Sequence, residues 1–209
     1  MPSNEVILID AGTGNLHSVH NALKSLDCNI LVTSNPLEIK AGCHVVLPGV
    51  GAFGSFMQGI QQRSLIETIL EIVQRADPLL GICVGMQALF EFGKEMGKHK
   101  GLGLLPGKVL HFPEFNEEPE LKIPHTGWNQ LWFEEPASPL FKGIKAGAYT
   151  YFNHSYYCLP AESTDVISTT DYGIKVCSAV QRGNLFGVQF HPEKSQRIGQ
   201  QILRNFINS

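Results

Sequence analysis

The chain has 209 residues, of which 43% are hydrophobic and 17% charged, and its formal net charge is −3. This length is enough for one large domain with a substantial core, which we place over residues 1–209. The weakly acidic balance gives no sign of binding to nucleic acid or to an anionic membrane. No apolar run approaches the length that a bilayer requires, and the first residues lack the pattern of a signal peptide.

The five cysteines are scattered, odd in number and free of C-x-x-C pairs. Such spacing favours a reducing compartment over a disulfide framework or a structural zinc site. The sequence therefore predicts a cytoplasmic protein without a metal or another cofactor.

Strand-like and helix-like patterns alternate through the first half of the chain. Short apolar runs predict strands at residues 6–10, 29–32 and 44–47, and another before residue 83. Apolar residues at helical spacing predict helices over residues 15–26 and 56–74. This alternation predicts an α/β fold with a mostly parallel central sheet and helices on both faces.

Aromatic and β-branched runs dominate after residue 105 and predict an added antiparallel β section. These runs cover residues 109–112, 128–133, 149–157, 166–169, 174–181 and 185–190. Gly183-Asn184 predicts a hairpin turn between the last two, and residues 195–207 form a final helix. The acidic stretch 114–120 is interpreted as a solvated loop, and alternation along 151–156 places His154 on the solvated face.

The segment Gly81-Ile82-Cys83-Val84-Gly85 follows an apolar run and precedes a helical pattern that includes Phe90. It is the cysteine version of the G-x-S-x-G nucleophile elbow, in which small flanking residues allow a sharp strand-to-helix turn. At a helix N-terminus the thiolate form of a cysteine is favoured. Cys83 is therefore the candidate nucleophile.

A candidate base lies far downstream in Phe190-His191-Pro192-Glu193. Proline disfavours helical geometry at the preceding residue, so His191 is expected to be extended. Residues two apart in an extended chain point to the same side, which would let Glu193 orient the imidazole. His191 would then take the Cys83 proton and deliver it to a leaving amine.

A glycine-rich turn, Pro48-Gly49-Val50-Gly51, ends the third predicted strand. Active sites of parallel sheets form at the carboxyl ends of the strands. The backbone amides of Gly49, Val50 and Gly51 could therefore join that of Val84 in an oxyanion hole.

Other interpretations of these motifs are weaker. A lone cysteine is more often a buried structural residue, but the paired glycines and the downstream histidine favour catalysis at Cys83. His191-x-Glu193 also matches half of a zinc deaminase signature, which requires a later P-C-x-x-C. No cysteine follows Cys177, so the zinc deaminase signature is incomplete.

Together the motifs resemble those of the class I, or triad, glutamine amidotransferases. Within this family the chain is similar to the glutaminase subunits of imidazole glycerol phosphate synthases. The resemblance covers nearly the whole chain and rests on residues 9–19, 47–53, 81–87, 124–129, 154–156 and 190–195. Two positions depart from the usual pattern: Ala11 stands where a tyrosine is usual, and Asn153 where a small apolar residue is usual.

The resemblance implies a reaction and a partner. Cys83 would attack the side-chain amide of glutamine and form a γ-glutamyl thioester, and water assisted by His191 would release glutamate. Gln87, Ser155 and Tyr156, with the backbone near Gly51, would help to bind the substrate. The partner would be a (β/α)8 cyclase that forms a heterodimer with this chain and receives the ammonia. The residues that would face this partner are Asn15, Tyr151 and Lys194.

Three alternatives stay open from the sequence. The chain could serve another amidotransferase, such as an anthranilate synthase or an aminosugar pathway. It could be a regulatory protein that kept the fold without activity, although Cys83, His191 and Glu193 are intact. It could also be a free-standing cysteine peptidase or γ-glutamyl hydrolase.

Overall fold

The computed structural model describes residues 5–115, 121–133 and 137–209. Within these ranges the helices and strands are, in chain order, β1 (Glu5–Ile9), α1 (Leu16–Lys24), β2 (Asn29–Thr33), β3 (His44–Gly49), α2 (Phe53–Gln62), α3 (Leu65–Gln74), β4 (Leu79–Cys83), α4 (Val84–Ala88), β5 (Phe90–Gly93), β6 (His99–Lys100), β7 (Leu105–His111), β8 (His125–Gln130), β9 (Tyr149–His154), β10 (Tyr156–Pro160), β11 (Val166–Tyr172), β12 (Ile174–Arg182), β13 (Leu185–Val188) and α5 (Gln196–Ile207).

The largest sheet in this described part has seven strands in the order β11-β12-β13-β4-β3-β1-β2. Each neighbouring pair in the part β13-β4-β3-β1-β2 of this sheet is parallel. The pairs β13–β12 and β12–β11 are antiparallel and extend the sheet on one side. The predicted fold, a mostly parallel sheet with an added antiparallel section, is confirmed.

The crossovers explain why helices cover both faces of this sheet. The chain moves from β1 to β2 in one direction along the sheet and from β3 to β4 in the other. Because parallel crossovers are right-handed, α1 lies on one face and α2 with α3 on the other. Strands β3 and β4 are buried along their whole lengths, as expected for strands covered on both sides.

Within the described ranges, two smaller sheets lie beside the main one. The first has the order β10-β7-β5-β6, and the second pairs β8 with β9 in antiparallel fashion. They bring residues 153–156 to the carboxyl end of β4. Among the described residues no helix is both long and apolar enough to cross a membrane.

Two predicted helices differ from those observed. The helix expected over residues 56–74 is split into α2 and α3, because Ser64 adopts a left-handed conformation with φ of 56°. The helix after Cys83 ends at Ala88, and Phe90 already begins strand β5. Apolar periodicity alone could not reveal either break, because both segments remain apolar on their buried side.

The run predicted over residues 149–157 also divides. Ser155 separates β9 from β10, which belong to different sheets. The prediction that His154 faces solvent is wrong: alternation holds along β9, but with Thr150, Phe152 and His154 on the buried side. In the acidic stretch 114–120, residues 116–120 lie outside the described part of the chain.

Candidate active site

Cys83 is the last residue of β4 and immediately precedes α4. Its φ of 55° and ψ of −110° place it in a conformation that is rare for a residue with a side chain. The surrounding backbone is packed too closely for larger residues, since a Cβ atom at Gly85 would lie 1.9 Å from the Leu47 carbonyl oxygen. The strand–turn–helix geometry predicted for the elbow is therefore present.

His191 follows the end of β13 and is extended, with φ of −101° and ψ of 95°. Its Nδ1 lies 2.8 Å from Oε1 of Glu193, and the two side chains are only 4% and 1% exposed. Glu193 lies in a 3₁₀ turn, Pro192–Lys194, so this turn, and not strand alternation, brings the carboxylate to the imidazole. The expected pairing is found, with a different local cause.

Cys83 and His191 line the same cavity, and the interaction with Cys83 helps to raise the pKa of His191. Because Glu193 occupies Nδ1, the other ring nitrogen, Nε2, is the one available to the sulfur. Burial by itself lowers the pKa of His191, but the hydrogen bonds with Cys83 and Glu193 and their negative charges outweigh it and raise the pKa to about 10. The arrangement thus favours the imidazolium form of His191 at neutral pH.

A cavity of about 260 Å³ opens onto Cys83 and His191. It contains six of the residues predicted to form the oxyanion and substrate site: Val50, Gly51, Val84, Gln87, Ser155 and Tyr156. Gly49 instead packs beneath the elbow as the register partner of Cys83, and a Cβ atom there would lie 2.8 Å from the Gly85 nitrogen. Gly51, with φ of 87°, makes the turn that brings this loop to the cavity.

Several lining residues were not identified from the sequence. Glu95, Pro124, Asn153 and His154 contribute to the same cavity. Glu95 also accepts a hydrogen bond of 2.6 Å from the Phe53 backbone nitrogen at the start of α2. Pro124 and His154 belong to segments that carry the family resemblance, and Asn153 departs from its usual pattern, but none of these signals indicated a place in the cavity. Only the packing of the smaller sheets against the elbow brings them and Glu95 together.

Two buried histidines lie at the cavity: His154 lines it, and His125 contacts His154. His125 Nδ1 is 3.0 Å from His154 Nε2, and His154 Nδ1 is 2.8 Å from the carbonyl oxygen of Tyr156. Burial lowers the pKa of His125 to about 4. Burial, with smaller effects from neighbouring histidines, lowers that of His154 to about 3. Both rings are therefore neutral at pH 7.

Of the three residues expected to face a partner, Tyr151 and Lys194 lie near each other. The Lys194 ammonium is 5.7 Å from the centre of the Tyr151 ring. The Tyr151 carbonyl accepts a hydrogen bond of 2.8 Å from the His191 nitrogen. Asn15 directly precedes α1, which contacts the 192–194 turn. Tyr151 and Lys194 therefore lie directly beside the candidate base, and Asn15 lies at the start of a helix that contacts the same turn.

A family model described as "Glutamine amidotransferase class-I" matches residues 7–209. The chain belongs to the class-I glutamine amidotransferase family. This amidotransferase is 49% identical over 201 residues to "Imidazole glycerol phosphate synthase subunit HisH" of Moorella thermoacetica, covering 96% of this chain and 93% of the relative. It is 48% identical over 210 residues to the protein of the same name from Methylococcus capsulatus, covering 98% and 96%.

Solved structures agree on the fold of the amidotransferase. One described as "Crystal structure of glutamine amidotransferase" superposes with a TM-score of 0.74 over 97% of both chains, at 16% sequence identity. A second, "Structure of PurLQS from Thermotoga maritima", gives a TM-score of 0.70 over 100% of this chain and 99% of that one, at 17% identity.

Proposed function

We propose that this amidotransferase is the glutaminase subunit of an imidazole glycerol phosphate synthase, with Cys83, His191 and Glu193 as its catalytic residues. The observation that carries this proposal is that the elbow cysteine and the buried His191–Glu193 pair meet at one cavity. The similarity to synthase subunits over nearly the whole chain supports the choice among amidotransferases.

In the first half of the reaction, the Cys83 thiolate attacks the side-chain carbonyl carbon of glutamine and forms a C–S bond. The negative charge moves to the carbonyl oxygen, and backbone amides near Gly51 and Val84 are the donors that would stabilise it. As the C–N bond breaks, the imidazolium of His191 gives its proton to the departing nitrogen, which leaves as ammonia.

In the second half, a water molecule replaces the ammonia beside the now neutral His191. His191 takes a proton from this water as it attacks the thioester carbonyl. The C–S bond then breaks, glutamate leaves, and the thiolate–imidazolium pair is restored. Glu193 holds the imidazole in one orientation through both halves, because it occupies Nδ1 throughout.

The charges of the cavity suit an amino-acid substrate. Glu95 and Lys194 both line it, and they provide one negative and one positive side chain for the α-ammonium and α-carboxylate groups of glutamine. A cavity of about 260 Å³ suits a single amino acid better than a peptide, which argues against the peptidase alternative.

The ammonia should be passed to a second chain. In water at neutral pH ammonia is mostly ammonium, which is not nucleophilic, so release would waste the product. We propose that the acceptor is a (β/α)8 cyclase that forms a heterodimer with this chain in the cytoplasm. The proximity of Asn15, Tyr151 and Lys194 to the site supports docking there. We further propose that residues 1–209 act as one domain.

Affinity purification of the tagged chain from its native lysate, with mass spectrometry of bound proteins, tests this assignment. The expected partner is a cyclase that makes imidazole glycerol phosphate when glutamine is supplied. A chorismate-using partner would assign the chain to an anthranilate synthase instead. High peptide hydrolysis by the isolated chain would contradict a glutaminase that supplies ammonia to a partner.

A further inference from the structure

The side chain of Gln189 contacts the candidate nucleophile. Gln189 follows β13 and is completely buried. Its Nε2 lies 3.7 Å from Cys83 Sγ, a contact between residues 106 positions apart in the chain. The sulfur therefore has a second polar neighbour besides the imidazole.

The other end of the Gln189 amide is also occupied. Its Oε1 accepts a hydrogen bond of 3.1 Å from Gln87 Nε2. The same Gln87 nitrogen donates to the backbone carbonyl oxygen of Tyr156, also at 3.1 Å. These contacts form a continuous series, from the Tyr156 carbonyl through Gln87 and Gln189 to the sulfur of Cys83.

The Tyr156 carbonyl fixes the direction of this series. A side-chain amide can be turned over, but a carbonyl oxygen can only accept. Gln87 must therefore present its nitrogen to Tyr156, and Gln189 must present its oxygen to Gln87. Only the nitrogen of Gln189 remains to face Cys83. Turning over Gln189 alone would place two donors against each other inside the protein, which is costly.

The Tyr156 carbonyl is itself held in place by a second donor. His154 Nδ1 lies 2.8 Å from it and, facing a carbonyl, must carry the proton. His154 Nε2 is then an acceptor for Nδ1 of His125 at 3.0 Å. Each contact in the series has one donor and one acceptor, so the whole network supports a single orientation.

We propose that Gln189 donates a hydrogen bond to the Cys83 thiolate and that Tyr156, acting through Gln87, sets the direction of this bond. A buried thiolate loses its hydration, and a fixed N–H donor replaces part of it. The proton stays on Gln189 throughout. The bond is strongest when the sulfur is charged, so it favours thiolate formation and the departure of the thiolate from the thioester.

This proposal rests on the proposed function, but its test does not require turnover. The rate at which iodoacetamide alkylates Cys83 in the full chain is measured against pH, with mass spectrometry of the Cys83 peptide. Gln189→Leu removes the donor, and Gln189→Glu keeps the shape while placing an acceptor against the sulfur. Because hydrogen bonds to charged groups are strong, we expect the alkylation midpoint to rise by about one pH unit or more in both variants.

A third variant tests the direction of the network. In Gln87→Glu, residue 87 no longer presents an amide nitrogen to Gln189, so Gln189 turns its nitrogen towards residue 87 and its oxygen towards the sulfur. The midpoint should rise as in Gln189→Glu. Asn205→Leu is the matched control: this buried amide donates to the Leu140 and Lys142 carbonyls instead, and its loss should lower stability to urea without moving the midpoint.

Unchanged midpoints in both Gln189 variants would overturn the proposal, as would an unchanged midpoint in Gln87→Glu or an equal rise in Asn205→Leu. These outcomes are separate from a failure of the proposed function. If the midpoints shift but the chain with its partner never hydrolyses glutamine, the function is wrong and the role of Gln189 at the sulfur stands.

Discussion

The carboxylate of Glu193 contacts His191 through one oxygen, Oε1, at 2.8 Å. Its second oxygen, Oε2, is buried and has no hydrogen-bond partner among the described residues. The imidazole of His191 is therefore the group that this carboxylate contacts, and Glu193 helps to raise the pKa of His191. This relationship gives the first prediction.

Glu193→Gln keeps the size of the side chain but removes its charge. We expect the pKa of His191 to fall, and glutamine hydrolysis to slow by about 10²–10⁴, as is typical when general acid–base catalysis is lost. NMR titration of the His191 ring and the pH profile of glutaminase activity with the partner present are the measurements. Glu71→Gln, on the exposed side of α3, is the control, and equal rates in both variants would contradict the role of Glu193.

Cys83→Ser should separate the two halves of the overall reaction. Without the thiolate no thioester forms, so synthesis from glutamine should be lost, whereas synthesis from added ammonium salts needs only the partner and should continue. Product formation is measured with each nitrogen source. Cys28→Ser, at a half-buried cysteine outside the cavity, should leave both intact. Loss of synthesis from both nitrogen sources in Cys83→Ser would contradict the role of Cys83 as the nucleophile of glutamine hydrolysis.

Gly85→Ala tests the steric basis of the elbow. The added methyl group would meet the Leu47 carbonyl oxygen at 1.9 Å, and that oxygen belongs to the backbone of a buried strand. We expect a loss of unfolding free energy of about 1–3 kcal/mol or more, measured by urea denaturation. Gly143→Ala is the comparison, because its added methyl meets nothing within 4 Å and only the positive φ of 77° is strained. A smaller loss in Gly85→Ala would contradict the close packing.

Stability should fall as the solution is acidified below about pH 6.5. The pKa values of His125 and His154 are lowered to about 4 and about 3. Between these values and 6.5 the unfolded chain binds protons that the folded chain does not. Each such histidine then lowers the unfolding free energy by about 1.4 kcal/mol per pH unit. The raised pKa of His191 affects stability in a different pH range. The unfolding free energy that it contributes is lost only as pH rises above 6.5 towards about 10.

Urea denaturation at pH 6.5, 5.5 and 4.5, values spanning the window set by about 6.5 and about 4, measures this slope. Burial also lowers the pKa of His44, so His44→Phe should flatten the acid side of the curve, while His17→Gln, at an exposed position, should not. Stability that stays constant or rises on acidification would contradict the neutral state of the buried pair.

The elbow and the His191–Glu193 pair could be predicted because each is a short motif with local geometry. The strand–turn–helix pattern around Cys83 needs only small residues at Gly81 and Gly85. The pairing of His191 with Glu193 needs only a proline between them, although a 3₁₀ turn and not strand alternation produces it. The parallel sheet could be predicted for the same reason, since apolar runs and helical spacing alternate visibly.

The rest of the site depends on contacts between distant segments. His154 was expected to face solvent because alternation gives a period but not the buried side, which the packing of β9 decides. Glu95 follows a strand, β5, that looked like the continuation of a helix. The contact of Gln189 with Cys83 joins two strand ends that only the sheet order makes neighbours.

Trapping with a γ-electrophilic analogue of glutamine tests the central claim most directly. The chain, with its partner and the partner's ligand present, is incubated with the analogue, and the modified peptide is identified by mass spectrometry. We predict one adduct, on Cys83, that glutamine prevents and that His191→Ala slows strongly. An adduct on another cysteine, or none on Cys83 under these conditions, would contradict the account.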